Sequence, residues 1–280
     1  MITVPINKII DLSSVDGIGL RSAIFVQKCN IHCLYCHNPE TQNLCLNCKE
    51  CVSCCPKKAL YINKDGKVQW NPTICVFCDT CLKVCKHNAS PRIEYLSSNE
   101  VYARIKKNIG FIRGITVSGG ECSLYPQFLE ELFILAKKDN LTCLLDSNGM
   151  IDYSLYPSLM NLTDGVMLDI KSWNEDIYYK LTGYSNKIVK KNLSFLDTIN
   201  KIEELRLVVL PSYTDSKDSL LGISKTIKKD HIKNMKIKLI RFRNNGVKGI
   251  LKENNSPSLE YMNELKEYAN SLGFENIVIV

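Results

Sequence analysis

From residue 100 onward the apolar positions alternate between two rhythms. The segments "EVYARIKKN", "YPQFLEELFILAKKDN" (125–140) and "SPSLEYMNELKEYANSL" (256–272) carry apolar residues at helical spacing. Ser97 and Glu100 have the spacing of a capping box that opens the first of these helices. Between such segments lie short runs rich in Val, Ile and Leu: "GITVSGG" (114–120), "TCLLDSNG" (142–149), "DGVMLDIK" (164–171), "ELRLVVLP" (204–211) and "KIKLIRF" (236–242). Each reads as a buried strand, the tail "NIVIV" (276–280) as a further candidate, and "RSAIFVQ" (21–27) as an earlier strand. Repeated strand-then-helix units predict parallel strands. The roughly 200 residues available for them fall short of the ~250 of a closed eightfold barrel. The predicted fold class is therefore α/β, a partial (β/α)6 TIM-like barrel.

Polar motifs fall where these strands end: Cys29–Cys36, Ser118–Glu121, Asp146–Gly149 and Asp169–Lys171. In (β/α) barrels the active site lies at that rim. One such motif could be a turn; four at successive strand ends predict one site.

Composition is that of an ordinary globular protein, 23% charged and 45% hydrophobic. No apolar run reaches the ~18–20 residues that span a bilayer, and the N-terminus lacks the three parts of a signal peptide. A cytoplasmic protein, monomeric and without membrane contact, is expected. Cysteine changes the picture. The chain has 14, of which 12 fall between Cys29 and Cys85. A reducing compartment disfavours a disulfide framework, so metal or cluster ligation is expected. The net charge of +7 counts these thiols as neutral; as ligands of three clusters they would bring it to about +2. A nucleic-acid partner is not expected.

The cysteines follow two patterns. Cys45-x2-Cys48-x2-Cys51-x3-Cys55 is followed by Cys75-x2-Cys78-x2-Cys81-x3-Cys85, the spacing of bacterial two-cluster ferredoxins, in which the fourth cysteine of each run ligates the other cluster. Cys45, Cys48, Cys51 and Cys85 are thus expected to hold one auxiliary [4Fe–4S] cluster, and Cys75, Cys78, Cys81 and Cys55 the other. Zinc is the competing reading, but it prefers separated C-x2-C pairs. The expected domains are a barrel over 1–43 and 89–280 and an inserted ferredoxin-like domain over 44–88. The stretch "CNIHCLYCHNPE" differs: Cys29-x3-Cys33-x2-Cys36 has no fourth cysteine. Three thiolates can hold three irons of a [4Fe–4S] cube and leave the fourth iron open to a small molecule.

That triad, with Tyr35 before its last cysteine, resembles the radical S-adenosylmethionine (SAM) signature, and "SGGE" (118–121) resembles the strand end that receives the SAM amino group. "SSVDGIGLRSAIFVQKCNIHCLYCHNPET" resembles the N-terminus of glycyl-radical enzyme activases. "CLLDSNGM", "GVMLDIK", "LTG" and "LRLVV", with the ferredoxin insert, resemble the YjjW-type activases most. The resemblance implies reductive cleavage of SAM to a 5′-deoxyadenosyl radical. That radical takes a hydrogen atom from a glycine Cα of a partner glycyl-radical enzyme. A flavodoxin or ferredoxin-type reductant is implied. It implies Cys29, Cys33 and Cys36 as cluster ligands. SAM contacts would come from Tyr35, Gly119, Gly120, Glu121 (accepting from the ammonium), Asp146, Ser147, Asn148, Asp169, Lys171 and Arg206 (meeting the carboxylate). It further implies a monovalent cation among Asp146, Ser147, Met167 and Asp169. The residues also admit plainer readings: Asp169–Lys171 as an ion pair facing one way along a strand, Arg206 as a structural salt bridge, Met167 as core. Three positions depart from the family pattern: Ile18 in "DGIG", Lys28 in "QKC", and Arg243, near which a SAM-touching histidine is usual. Two other functions fit parts of the sequence: a radical SAM enzyme acting on a small molecule or another peptide, and a ferredoxin-like electron carrier.

Overall fold

The computed structural model describes residues 2–280. The chain opens with β1 (Thr3–Ser13) and β2 (Arg21–Val26), then enters the cysteine-rich segment with α1 (Glu50–Ser53), β3 (Leu60–Ile62), β4 (Val68–Trp70) and α2 (Thr80–Val84). It continues through β5 (Glu94–Ser97), α3 (Ser98–Ile105), β6 (Gly114–Gly119), α4 (Pro126–Lys138), β7 (Thr142–Ser147), α5 (Pro157–Leu162) and β8 (Gly165–Asp169). Then come α6 (Glu175–Thr182), α7 (Lys187–Thr198), β9 (Ile202–Val209), α8 (Ser216–Thr226), α9 (Lys229–Ile232), β10 (Ile237–Arg241), α10 (Leu259–Ser271) and β11 (Ile277–Ile279).

Nine strands form one sheet in the order β11-β10-β9-β8-β7-β6-β2-β1-β5. From β2 to β11 every neighbour is parallel; β1 is antiparallel to both β2 and β5. The sheet ends at β11 and β5 and stays open, as a partial barrel requires. All the predicted strands are present. The antiparallel pair β1 and β5 was not among them.

Side chains alternate across each strand. One face presents Ile24, Val26, Ile115, Val117, Leu145, Leu168, Leu205 and Leu239 to the helix layer, where Phe128, Leu132 and Phe133 of α4 fill the core. The other face carries Thr116, Ser118, Asp146, Asp169, Glu204 and Arg206. Its lower end is closed by Arg21, fully buried and, among the described residues, in no ion-pair contact, though the charges of Glu203 and Asp164 act on it from further away. The Arg21 guanidinium donates to Thr116 Oγ1, Ile18 O, Thr142 Oγ1, Ile115 O and Thr142 O, which satisfies a charge that burial pushes down to about 10. The capping box on α3 is formed, with Ser97 and Glu100 exchanging hydrogen bonds.

The segment 44–88 sits against the barrel as a small unit. Its β3–β4 hairpin is antiparallel, and its apolar centre consists of Cys51, Leu60, Val68 and Cys81. The chain leaves and rejoins the barrel through a parallel bridge between Asn43 and Ala89. The two cysteine runs also share a backbone shape: Asn47 and Phe77 (φ 58° and 53°), then Lys49 and Asp79 (φ 70° and 60°), take left-handed conformations at matching places. Both αL residues at 49 and 79 directly precede a one-turn helix.

Candidate active site

The parallel strands all point their C-terminal ends to one side, and the loops there enclose a cavity of about 300 Å³, within the size range of small-molecule sites. Cys29, Cys33, Cys36 and Tyr35 line it from the loop after β2. Ser118, Gly119, Gly120 and Glu121 come from the end of β6, Asp146, Ser147 and Asn148 from β7, Asp169 and Lys171 from β8, and Arg206 from β9. Each residue expected to hold the cluster or contact SAM lies on its wall; Met167, expected only around a cation, does not.

Local packing explains why the cysteine loop stands where it does. Lys28 N donates to Thr41 O and Cys29 N to Gln42 O, so the loop closes on itself; Glu121 N donates to Lys28 O, which fastens it to β6. From behind, α6 receives His32 N at Thr182 O and Leu34 N at Leu181 O. Gly119 has φ +123°, and a Cβ on it would lie 2.2 Å from Val26 O. A Cβ on Gly120 would lie 2.2 Å from Lys28 O and 2.7 Å from Thr41 O. These glycines therefore allow β6 to touch the cysteine loop backbone to backbone.

The departure at Lys28 has a structural consequence. Its φ is +83°, the left-handed region that a side chain makes unfavourable by about 1–2 kcal/mol, while the side chain itself is exposed. Lys28→Gly is expected to stabilise the fold by about 0.5–1 kcal/mol, after the added flexibility of the unfolded chain is subtracted. A denaturant midpoint that does not rise would count against this strain. Ile18, the first departure, is exposed on the loop before β2. Arg243 is exposed too, so its side chain is not on the cavity wall.

Three thiols and several charges share this small volume. Burial pushes Cys33 up to about 11, and burial with the nearby Glu121 pushes Cys29 up to about 12. Thiols held protonated this firmly are poor nucleophiles, but a bound metal deprotonates them outright. Asn148 Nδ2 also donates to Cys29 Sγ at 3.6 Å. Among the described residues no three His, Cys, Asp or Glu side chains converge closely enough to hold one metal ion; in a cubane cluster each thiolate meets a different iron.

Glu121 is 1% exposed and already occupied. Its Oε1 accepts from Ser123 N, Ser123 Oγ and Ser147 Oγ, and its Oε2 from Asn148 N at 2.7 Å. Burial pushes this carboxyl up while those hydrogen bonds hold it down. It clamps the end of β6 to the end of β7, and only Oε2 retains room for an ammonium. Tyr153, which the sequence reading did not single out, completes the clamp by donating to Ser147 Oγ at 2.6 Å. Nothing in the local sequence marks it.

One expectation about charge needs revision, and a second gains its alternative. Lys171 lies beyond the end of β8, so it does not share a strand face with Asp169; the two nevertheless pair at 2.9 Å. Burial opposes the Lys171 ammonium, but Asp169 and the Cys33 sulfur hold it well above its usual value. Arg206 makes the salt bridge that was its alternative reading. Its Nη1 lies 2.7 Å from Asp146 Oδ1, its Nε bonds Glu204, and its Nη2 meets Met167 Sδ at 3.0 Å. Burial pushes the Asp146 carboxyl up and Arg206 pulls part of that shift back, while the guanidinium keeps its proton.

The eight downstream cysteines also group. Cys55, Cys75, Cys78 and Cys81 line one small cavity, and Cys45 has Cys85 and Cys48 as electrostatic neighbours. Cys54 is exposed, and Cys122 and Cys143 are buried within the barrel.

An open parallel sheet with a three-thiol pocket at its C-terminal rim defines a class. The radical SAM superfamily model matches residues 23–221, and the chain belongs to that superfamily: it is a radical SAM oxidoreductase, and the family implies a [4Fe–4S] cluster and SAM. More particular relatives are activases. A pyruvate formate-lyase-activating enzyme of Streptococcus mutans is 31% identical over 229 residues, covering 80% of this chain and 72% of its own. A Haemophilus influenzae protein provisionally named a glycyl-radical enzyme activating enzyme is 27% identical over 303 residues, covering 100% of this chain and 97% of its own. Among solved structures, Streptococcus suis SuiB bound to S-adenosylmethionine superposes with a TM-score of 0.57 at 11% identity, covering 91% of this chain and 48% of that one; this likeness is of fold alone. Among the described residues no helix is long and apolar enough to cross a membrane.

Proposed function

We propose that the chain is a glycyl-radical enzyme activase of the YjjW type, with a SAM-binding cluster and two auxiliary clusters. The observation that carries this reading is the pocket: three thiols, and no fourth, face the polar ends of four parallel strands. Cys29, Cys33 and Cys36 would hold the cluster, leaving one iron to the amino and carboxylate groups of SAM. Bound there, the two would supply, with one electron from an external reductant, a reductive cleavage whose carbon radical could take a hydrogen atom from a glycine Cα.

The chain's own residues bind and orient. Gly119 and Gly120 keep the strand end close to the cluster loop. Glu121, through Oε2, would meet the ammonium, and Arg206 and Lys171 the carboxylate. Tyr35, Asp146, Ser147, Asn148 and Asp169 shape the wall. For the insert 44–88, the ferredoxin spacing, the repeated left-handed turns and the shared cavity of Cys55, Cys75, Cys78 and Cys81 support two auxiliary clusters. Their expected task is to receive electrons from a flavodoxin or ferredoxin-type donor.

The test is electron paramagnetic resonance (EPR) after anaerobic reduction with SAM and an added glycyl-radical protein from the same cell. A glycyl radical on the partner is the expected result. If SAM is cleaved but no such partner ever gains a radical, the activase reading fails and a different radical substrate takes its place.

A further inference from the structure

Family resemblance places a monovalent metal cation among Asp146, Ser147, Met167 and Asp169. The geometry gives each of those groups another partner. Asp146 is engaged at both oxygens, Oδ1 by Arg206 at 2.7 Å and Oδ2 by Ser118 Oγ at 2.9 Å. Met167 Sδ faces Arg206 Nη2 at 3.0 Å. Asp169 Oδ2 holds Lys171 Nζ at 2.9 Å. Ser147 lies on the opposite face of β7 from Asp146, since neighbouring strand residues alternate. There it donates to Glu121 and accepts from Tyr153 and Gly149 N.

The charge balance leads the same way. Asp146, Asp169 and Glu204 are the carboxylates on this face; Arg206, Lys171, Lys236 and Lys238 are paired with them. Glu121, on the same cavity wall, makes four carboxylates against four cations, so the wall balances its own charge without a metal ion. A balanced wall has no excess negative charge to draw a further metal cation. The guanidinium is also fixed: Asp146 on β7, Met167 on β8 and Glu204 on its own strand hold its three nitrogens, and its side chain is 11% exposed.

We propose that Arg206 is a built-in cation standing where the resemblance places a metal ion, so that SAM binds to this enzyme without help from potassium or sodium. This rests on the assignment of the pocket to SAM. The pairing of Arg206 with Asp146 and Met167 does for the wall what an ion would do: it neutralises the strand ends and sets a fixed cation on the cavity wall for the SAM carboxylate.

The experiment uses the holoenzyme with its cluster reduced. SAM affinity is read from the change in the cluster's EPR spectrum in potassium, sodium and tetramethylammonium chloride at equal ionic strength. Thallium(I) resonance broadening reports directly on a bound monovalent ion. Affinities within about twofold across the three salts, with no protein-bound thallium, are expected. A tightening of about tenfold or more in potassium or sodium, or thallium displaced competitively by potassium, overturns the proposal. Arg206→Gln removes the built-in charge and is expected to make SAM binding weaker and newly responsive to potassium. If that variant keeps its cluster spectrum and shows no salt response, the proposal also falls. A spectrum that SAM leaves unchanged in every salt is a different result: it removes the SAM assignment of the pocket and this inference with it.

Discussion

Replacing Cys33 by alanine is expected to lower SAM cleavage by about a thousandfold or more, a loss of over ~4 kcal/mol of barrier lowering. The thiol stands on the pocket wall beside Lys171, and no other sulfur in the loop can take its place, since Cys29 and Cys36 already have their own positions. The readout is 5′-deoxyadenosine formed with a strong chemical reductant, together with iron content. Cys54→Ala, on an exposed thiol, is the control and is expected to match the parent. Cys78→Ala with Cys81→Ala separates the role of the pocket triad from that of the cysteines of segment 44–88. With a chemical reductant this double variant is expected to cleave SAM, whereas with flavodoxin its cleavage is expected to slow. Retained cleavage in the Cys33 variant would show that the pocket triad is not the seat of the chemistry.

Gly120→Ala is expected to be nearly as damaging, through packing. The added methyl would sit 2.2 Å from Lys28 O, 2.5 Å from Lys28 C and 2.7 Å from Thr41 O. All three are main-chain atoms, so no side chain can swing away. Relief requires the cysteine loop to lift, which breaks the Glu121 N to Lys28 O hydrogen bond and moves Cys29. Overpacking of this kind costs about 3 kcal/mol. Denaturant unfolding should show that loss, and the reconstituted protein should hold less iron. Stability within about 0.5 kcal/mol of the parent, with full iron content, would mean that the contact is looser than its geometry.

Much of the barrel was legible because its strands are buried on both sides of the chain path: short runs such as "TCLLDSNG" stand out against helical periods. The strand β1 was not. "TVPINKIIDLS" contains a proline and lacks a clean alternation, and its pairing with β2 is interrupted by two register shifts. The four residues of β5 are too few to show a period. At the site, the residue types and their convergence could be read, because strand ends of a parallel sheet must meet at one rim. The partners could not. Whether Glu121 faces an open ligand or the donors of Ser147 and Asn148 depends on where β7 comes to lie. Arg206 offers its charge to Asp146, sixty residues earlier, only once β7, β8 and β9 are neighbours. A fully buried Arg21 has no signature in the sequence either; carbonyls and hydroxyls of three separate segments take its hydrogen bonds.

The bridge between Asn43 and Ala89 sets the terms on which this chain could acquire or lose its cysteine-rich segment. Strands so bridged lie about 5 Å apart, so the segment departs and returns almost at the same point. For the sheet, residues 44–88 are topologically a loop, and exchanging one loop for another changes closure entropy only slowly with length. The segment is thus a cassette: it can be traded for a shorter or longer module without altering the order of strands that builds the rim. Through any such exchange the pocket keeps its frame.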